Sequence, residues 1–195
     1  MKKITICIVW AMLCLNFEAN SQEIKPLKLG QKIPMAILQQ TMPQLTGNSL
    51  KPDSLTLATY KGKFIILDFW ATWCSSCIYQ FAKLENLQQR YQDQIKILLI
   101  NAVYTKDTPQ RMYGILSGEK APFIKSSLPS VYNDTVLSKL FPHAYLPHYV
   151  WLGPKGEFLA LTNTDMLNEQ TIKSVLEAYK QDETATAKLL KQNKL

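Results

Sequence analysis

Metal-binding side chains are scarce in this chain. It has four cysteines and two histidines among 195 residues, and a single C-x-x-C pair, Cys74 and Cys77, with no second pair to match it. A structural zinc site would have to recruit both His143 and His148 to reach four ligands, so the ligand count argues against one. A long apolar run is missing as well. The stretch Ile4 to Leu15 is about twelve residues, short of the roughly twenty that span a bilayer. The basic residues are dispersed instead of forming a run, and no RNA- or DNA-binding motif accompanies them, which disfavours a nucleic-acid partner. No internal repeat or low-complexity tract is present. With 47% hydrophobic and 19% charged residues, the composition is that of one ordinary globular domain.

The first residues differ in kind from the rest. Lys2 and Lys3 precede the apolar run, and Ala19-Asn20-Ser21 then offers small residues where a signal peptidase reads. This layout predicts a secretory signal over 1–21, cleaved after Ser21 and directing the chain to the periplasm. Membrane tethering by an uncleaved segment is the alternative. A lipoprotein reading through Cys14 is weaker, because Leu13 is larger than the residue such a site prefers. Loss of Lys2, Lys3 and Glu18 takes the formal charge from +7 to +6, which reads as a solvated basic surface compatible with peripheral membrane proximity.

Signal removal also takes Cys7 and Cys14, leaving Cys74 and Cys77. An exported protein with two cysteines so close together is not a disulfide scaffold. A bridge closing so small a loop removes little chain entropy, so a stabilising staple is disfavoured. Redox exchange remains. Phe64 to Trp70 reads as a strand buried on both faces, with Asp68 its only ionisable group. From Ser75 the pattern turns helical, with Ile78, Phe81, Leu84, Leu87 and Tyr91 at helical spacing, which puts Cys74 at a helix N-terminus. Unpaired N–H groups and the helix dipole favour a thiolate there.

Around this stretch, the punctuation of Pro26, Gly30, Pro34, Pro43, Gly47 and Pro52 predicts an irregular N-terminal extension over 22–52, with Ala36 to Gln39 as a short extended piece. A domain over 53–181 follows. It is expected to hold a short helix over 54–60, a turn at Lys61-Gly62-Lys63, a second buried strand over 95–103 and a right-handed parallel crossover between the two buried strands. Asp107 is expected to cap a helix over 108–116. A loop over 117–129, a short strand over 128–132 and a short helix over 135–141 capped by Asp134 come next. A hairpin of strands 148–152 and 157–161 and a helix over 168–181 complete the domain, and a polar tail is expected over 182–195.

The Lys61-Gly62-Lys63 turn before an apolar strand, the run D-F-W-A-T-W-C-S-S-C from Asp68 to Cys77, and Pro147 opening a later strand together resemble the thioredoxin superfamily. The resemblance is closest to its exported TlpA/ResA-like thiol-disulfide oxidoreductases and covers roughly residues 30–179. It implies an α/β thioredoxin-like fold, a central mixed β-sheet flanked by helices, with Pro147 as a cis proline facing the cysteines. It also implies a catalytic Cys74 nucleophile, a resolving Cys77 and Asp68 as the buried acid that accepts the Cys77 proton. Asp68 as a strand-end acid bonded to backbone or water stays open beside that role. Trp73, Leu146 and Pro147 would form the substrate-binding face. The implied partners are protein thiols and disulfides and a membrane-bound electron donor, with no cofactor.

Departures from the family pattern limit what carries over. Ser75-Ser76 replaces a pair that usually ends in Pro, and Gln80 and Ala82 stand where Glu and Pro are common. Ala71 stands where a peroxiredoxin would have Thr. His143 and His148 stay outside the catalytic set, and Tyr145 and Tyr149 read as packing. A thioredoxin-like binding module with idle thiols is the competing reading.

Overall fold

The computed structural model describes residues 23–119 and 122–192. The expected signal over 1–21 lies outside the described residues. Among these, strands β1 Met42–Thr46, β2 Ser49–Leu55, β3 Phe64–Phe69, β4 Ile95–Ala102, β5 Ser130–Asp134, β6 His148–Leu152 and β7 Phe158–Thr162 form one sheet. The helices are α1 Met35–Leu38, α2 Ser75–Arg90, α3 Pro109–Leu116, α4 Leu137–Leu140 and α5 Glu169–Gln192. Strand order is β2-β1-β5-β4-β3-β6-β7. β3 runs parallel to β4 and antiparallel to β6, and β4 is parallel to β5. This is the mixed sheet with flanking helices that the resemblance implied.

The hydrophobic pattern explains the layering. Every residue of β3 is buried, as a strand paired on both edges and covered on both faces requires. Alternation along it divides the core. Phe64, Ile66 and Trp70 pack with Phe81, Leu84 and Leu87 of α2, Met112 of α3 and Ile172 of α5. Ile65, Leu67 and Phe69 pack on the opposite face with Ile33, Leu57, Leu140 and Phe141. Each such side chain fully withdrawn from water contributes about 1.5–3 kcal/mol. Gly62, at φ +89°, makes the turn into β3 in a backbone region that side chains disfavour.

Several local expectations change. Ala36 to Gln39 is not extended: it lies in the single turn of α1, begun after Pro34. The helix expected over 54–60 is shortened to a 3-10 turn, Leu57–Tyr60, because Ser54 and Leu55 end β2. Pro52 is tolerated there since β2 is the outermost strand, where a missing N–H costs no ladder bond. The strand expected over 128–132 is shifted to Ser130–Asp134. The last helix continues to Gln192 where a tail was expected. The helix expected over 135–141 is only α4, Leu137–Leu140, with Val136 and not Asp134 at its N-cap position, although the Asp134 carboxylate accepts the N–H groups of Leu137 and Ser138 at 2.8 Å each. Thr108, and not Asp107, caps α3, its Oγ1 accepting Arg111 N–H at 3.3 Å. No helix of the described residues is long and apolar enough to cross a membrane.

Candidate active site

β3 ends at Phe69 and hands the chain to α2 through residues 70–74. Trp70 N–H still donates to Ile100 O at 3.0 Å, as a last sheet bond, and Cys74 N–H donates to Ala71 O at 3.0 Å, closing a turn. Cys74 is the N-cap of α2. Its Sγ accepts the Cys77 N–H at 3.3 Å and lies 3.4 Å from Ser76 Oγ. The two cysteines form a disulfide, with Cα atoms 5.3 Å apart. Cys77 is wholly buried on the inner face of α2, whereas Cys74 keeps 6% of its surface exposed. A thiolate released at Cys74 would therefore meet backbone donors and the positive end of the helix dipole.

Asp68 lies on the side of the sheet that carries Cys77, because Ile66 and Trp70, its same-face neighbours along β3, belong to the core cluster containing both cysteines. It is fully buried, and neither carboxylate oxygen finds a hydrogen-bond partner among the described residues. Burial pushes its pKa well above the ordinary carboxyl range. Tyr149 is its register partner on β6. Burial raises the Tyr149 phenol, and the charge of Asp68 raises it further.

Phe69 pairs with His148, so the strand end leading to Cys74 and the one carrying Pro147 lie at the same end of the sheet. The Leu146–Pro147 peptide is cis. Leu146 is half-buried and touches the core clusters on both faces. Trp73 is 61% exposed, held at its indole Nε1–H by Thr105 O at 3.3 Å. Beside Pro147, His143 and His148 stack with ring centroids 4.7 Å apart and line a cavity of about 510 Å³ with Tyr145, Leu161 and Met166. His143 Nδ1 lies 2.8 Å from Phe141 O and its Nε2 2.6 Å from Tyr104 Oη. The carbonyl can only accept, so Nδ1–H donates to it and Tyr104 O–H donates to Nε2. Burial lowers the pKa of both rings, that of His148 to about 4 with help from His143. No group of three or more His, Cys, Asp or Glu side chains suited to a metal ion gathers among the described residues.

A polar network that sequence reasoning missed ties the turn before Cys74 to the chain after β4. Asp107 accepts Thr72 N–H at 2.8 Å and the Thr72 hydroxyl through its other oxygen. Asn101 Nδ2 donates to Asp107 at 2.8 Å and to Trp70 O at 3.2 Å. Trp70 Nε1–H reaches Ser130 Oγ at 3.0 Å. The available signals were small: one Asn near the end of a strand whose only other polar residue is Lys96, and an Asp in front of Thr108-Pro109.

Comparison with known proteins follows the same lines. The Redoxin family profile matches residues 28–127. Thiol-disulfide oxidoreductase ResA of Halalkalibacterium halodurans is 27% identical over 137 residues, 67% of this chain and 70% of that protein. Thioredoxin-like protein YneN of Bacillus subtilis is 34% identical over 62 residues, 32% of this chain and 36% of that protein. The chain thus spans about a third of YneN and just over two thirds of ResA. The exposed lipoprotein thioredoxin of Streptococcus pneumoniae superposes with a TM-score of 0.57 at 17% identity, over 71% of this chain and 99% of that one. At that identity the likeness concerns the thioredoxin-like fold alone.

Proposed function

We propose, starting from the fact that this chain belongs to the Redoxin family, that it is a thiol-disulfide oxidoreductase working as a reductase of exported proteins. The observation that carries this reading is the Cys74–Cys77 disulfide set across the cap and first turn of α2, where the helix terminus favours a thiolate. Similarity to ResA supports placing it in the exported TlpA/ResA-like branch. The Lys2-Lys3 and apolar N-terminal pattern supports export to the periplasm.

In the reduced protein, Cys74 thiolate attacks one sulfur of a substrate disulfide. A new S–S bond forms, the substrate S–S bond breaks, and one substrate sulfur leaves as thiolate. Cys77 then passes its proton to the Asp68 carboxylate and attacks Cys74 Sγ. The mixed disulfide breaks and the second substrate sulfur leaves, so two electrons have passed to the substrate and the Cys74–Cys77 disulfide remains. Burial that raises the Asp68 pKa suits it to take and return this proton. Trp73, Leu146 and Pro147 serve as the face on which an extended substrate segment lies. A membrane-bound dithiol donor would return the protein to its reduced form.

Reduction of insulin disulfides tests this. The wild type is expected to reduce them, Cys74→Ser to fall to the background rate, and Cys77→Ser to accumulate a mixed disulfide visible on a non-reducing gel. Equal rates for wild type and Cys74→Ser would leave the binding-module reading in its place.

A further inference from the structure

The turn that delivers Cys74 is held at its middle by a side chain about thirty-five residues away. Residues 71–73 connect two rigid anchors, the last sheet bond at Trp70 and the first turn of α2. Between them the backbone has no sheet partner. Asp107 supplies what the sheet does not, with one carboxylate oxygen accepting the Thr72 N–H and the other its hydroxyl. Asp107 is only 8% exposed, so these are charge-assisted bonds shielded from water. Asn101 braces the arrangement by donating to the same carboxylate and to Trp70 O. On the far side, Trp73 is tied to Thr105 O, so consecutive points of the turn are fastened to one stretch, 101–107.

We propose that Asp107, gripping Thr72, is a positioning residue that sets where Cys74 Sγ stands against the N–H groups at the start of α2. The proposal rests on the oxidoreductase reading and adds to it a residue that touches neither substrate nor sulfur. Thr72 is two residues before the nucleophile, and the Cys74 N–H to Ala71 O bond lies across it. Loss of the grip lets the turn relax, and misplacement of a reacting atom by about 1 Å costs up to about 10²-fold in rate.

Replacing Asp107 itself strips acceptors from Thr72 and Asn101 together and risks the fold. The test is therefore Thr72→Val, which keeps the shape and the backbone N–H and removes one hydroxyl donor, with Thr72→Ser as the conservative rescue. Two quantities are read: kcat/KM for insulin disulfide reduction, and the equilibrium constant of the Cys74–Cys77 pair with glutathione. Thr72→Val is expected to lose about tenfold in kcat/KM. It is also expected to shift the equilibrium at least threefold toward the oxidised protein, because a less well placed Cys74 thiolate makes the reduced form less stable. Thr72→Ser restores both. A Thr72→Val protein with the wild-type glutathione equilibrium overturns the inference, whatever its melting temperature. If the wild type reduces no insulin, the oxidoreductase reading fails, while the glutathione equilibrium, which needs no turnover, still decides the grip.

Discussion

Asp68 stands opposite Tyr149 across the antiparallel pairing of β3 and β6, so a buried carboxyl and a buried phenol share the sheet face that carries Cys77. Directly opposed residues of paired strands have side chains close enough to interact. The charge of Asp68 is felt at Tyr149, where it adds to burial in raising the phenol pKa. On the other face of the same strand pair, His148 lies against Phe69 with ring centroids 5.9 Å apart. One pair of strands thus carries a buried acid on one side and a half-buried base on the other, with opposite consequences for pH dependence.

Asp68→Asn is expected to stabilise the protein at neutral pH. The folded-state pKa of Asp68 is raised by burial, so the folded state binds more protons than the unfolded one from the ordinary carboxyl value of about 3.9 up to the raised value. Stability falls as pH rises through that window and is lowest above it. Each pH unit of the window corresponds to about 1.4 kcal/mol. Urea denaturation of wild type and Asp68→Asn across pH checks this, and parallel curves for the two proteins would contradict it. The same substitution is expected to slow disulfide exchange and flatten its pH profile, since it removes the proposed proton acceptor for Cys77.

His148 has the opposite sign. Its folded pKa is lowered to about 4 by burial and by His143, against about 6.5 in the unfolded chain. The unfolded state binds the extra proton between these values, so stability present above about pH 6.5 is lost as pH falls toward 4. The ring is half-exposed and solvent screening discounts the full linkage, which leaves an expected loss on the order of 1 kcal/mol. His148→Phe keeps the ring stack and removes the titration. Denaturation at pH 7 and pH 4.5 should show a smaller loss in the variant, and an equal loss would rule out His148 as the source.

Trp73→Ala separates docking from folding. With 61% of its surface exposed and one hydrogen bond at its indole, Trp73 contributes little to the core, and its removal is expected to change stability by no more than about 0.5 kcal/mol. If Trp73 belongs to the proposed substrate face, its removal is expected to raise KM for a protein disulfide about tenfold with a smaller change in kcat, the pattern of lost uniform binding. Steady-state kinetics on insulin measure the split. An unchanged KM removes Trp73 from the docking face.

What could be read in advance follows from the range of the interactions involved. The apolar run of β3, the helical spacing of α2 and the Gly-Pro turn between β6 and β7 are local patterns, and these elements stand where periodicity puts them. The polar N-terminal part was harder. β2 exposes most of its residues and carries Pro52, so it has no alternation to betray a strand. Its pairing with β1, and that of β1 with β5, is decided by neighbours far along the chain. The grip of Asp107 on Thr72 and the stacking of His143 on His148 had no periodic signal for the same reason.

By itself the sequence determined the strand-turn-helix unit and the placement of Cys74 at a helix start, because hydrophobic period and a two-residue cysteine spacing act within a few turns of chain. Only the tertiary structure decided that Asp68 is left without a hydrogen-bond partner among the described residues, on the face carrying Cys77, and that Asp107 holds the turn before Cys74 instead of capping α3. Burial and hydrogen-bond partners are properties of what folds against a residue, and for these groups the decisive neighbours come from strands and loops about thirty to eighty residues away.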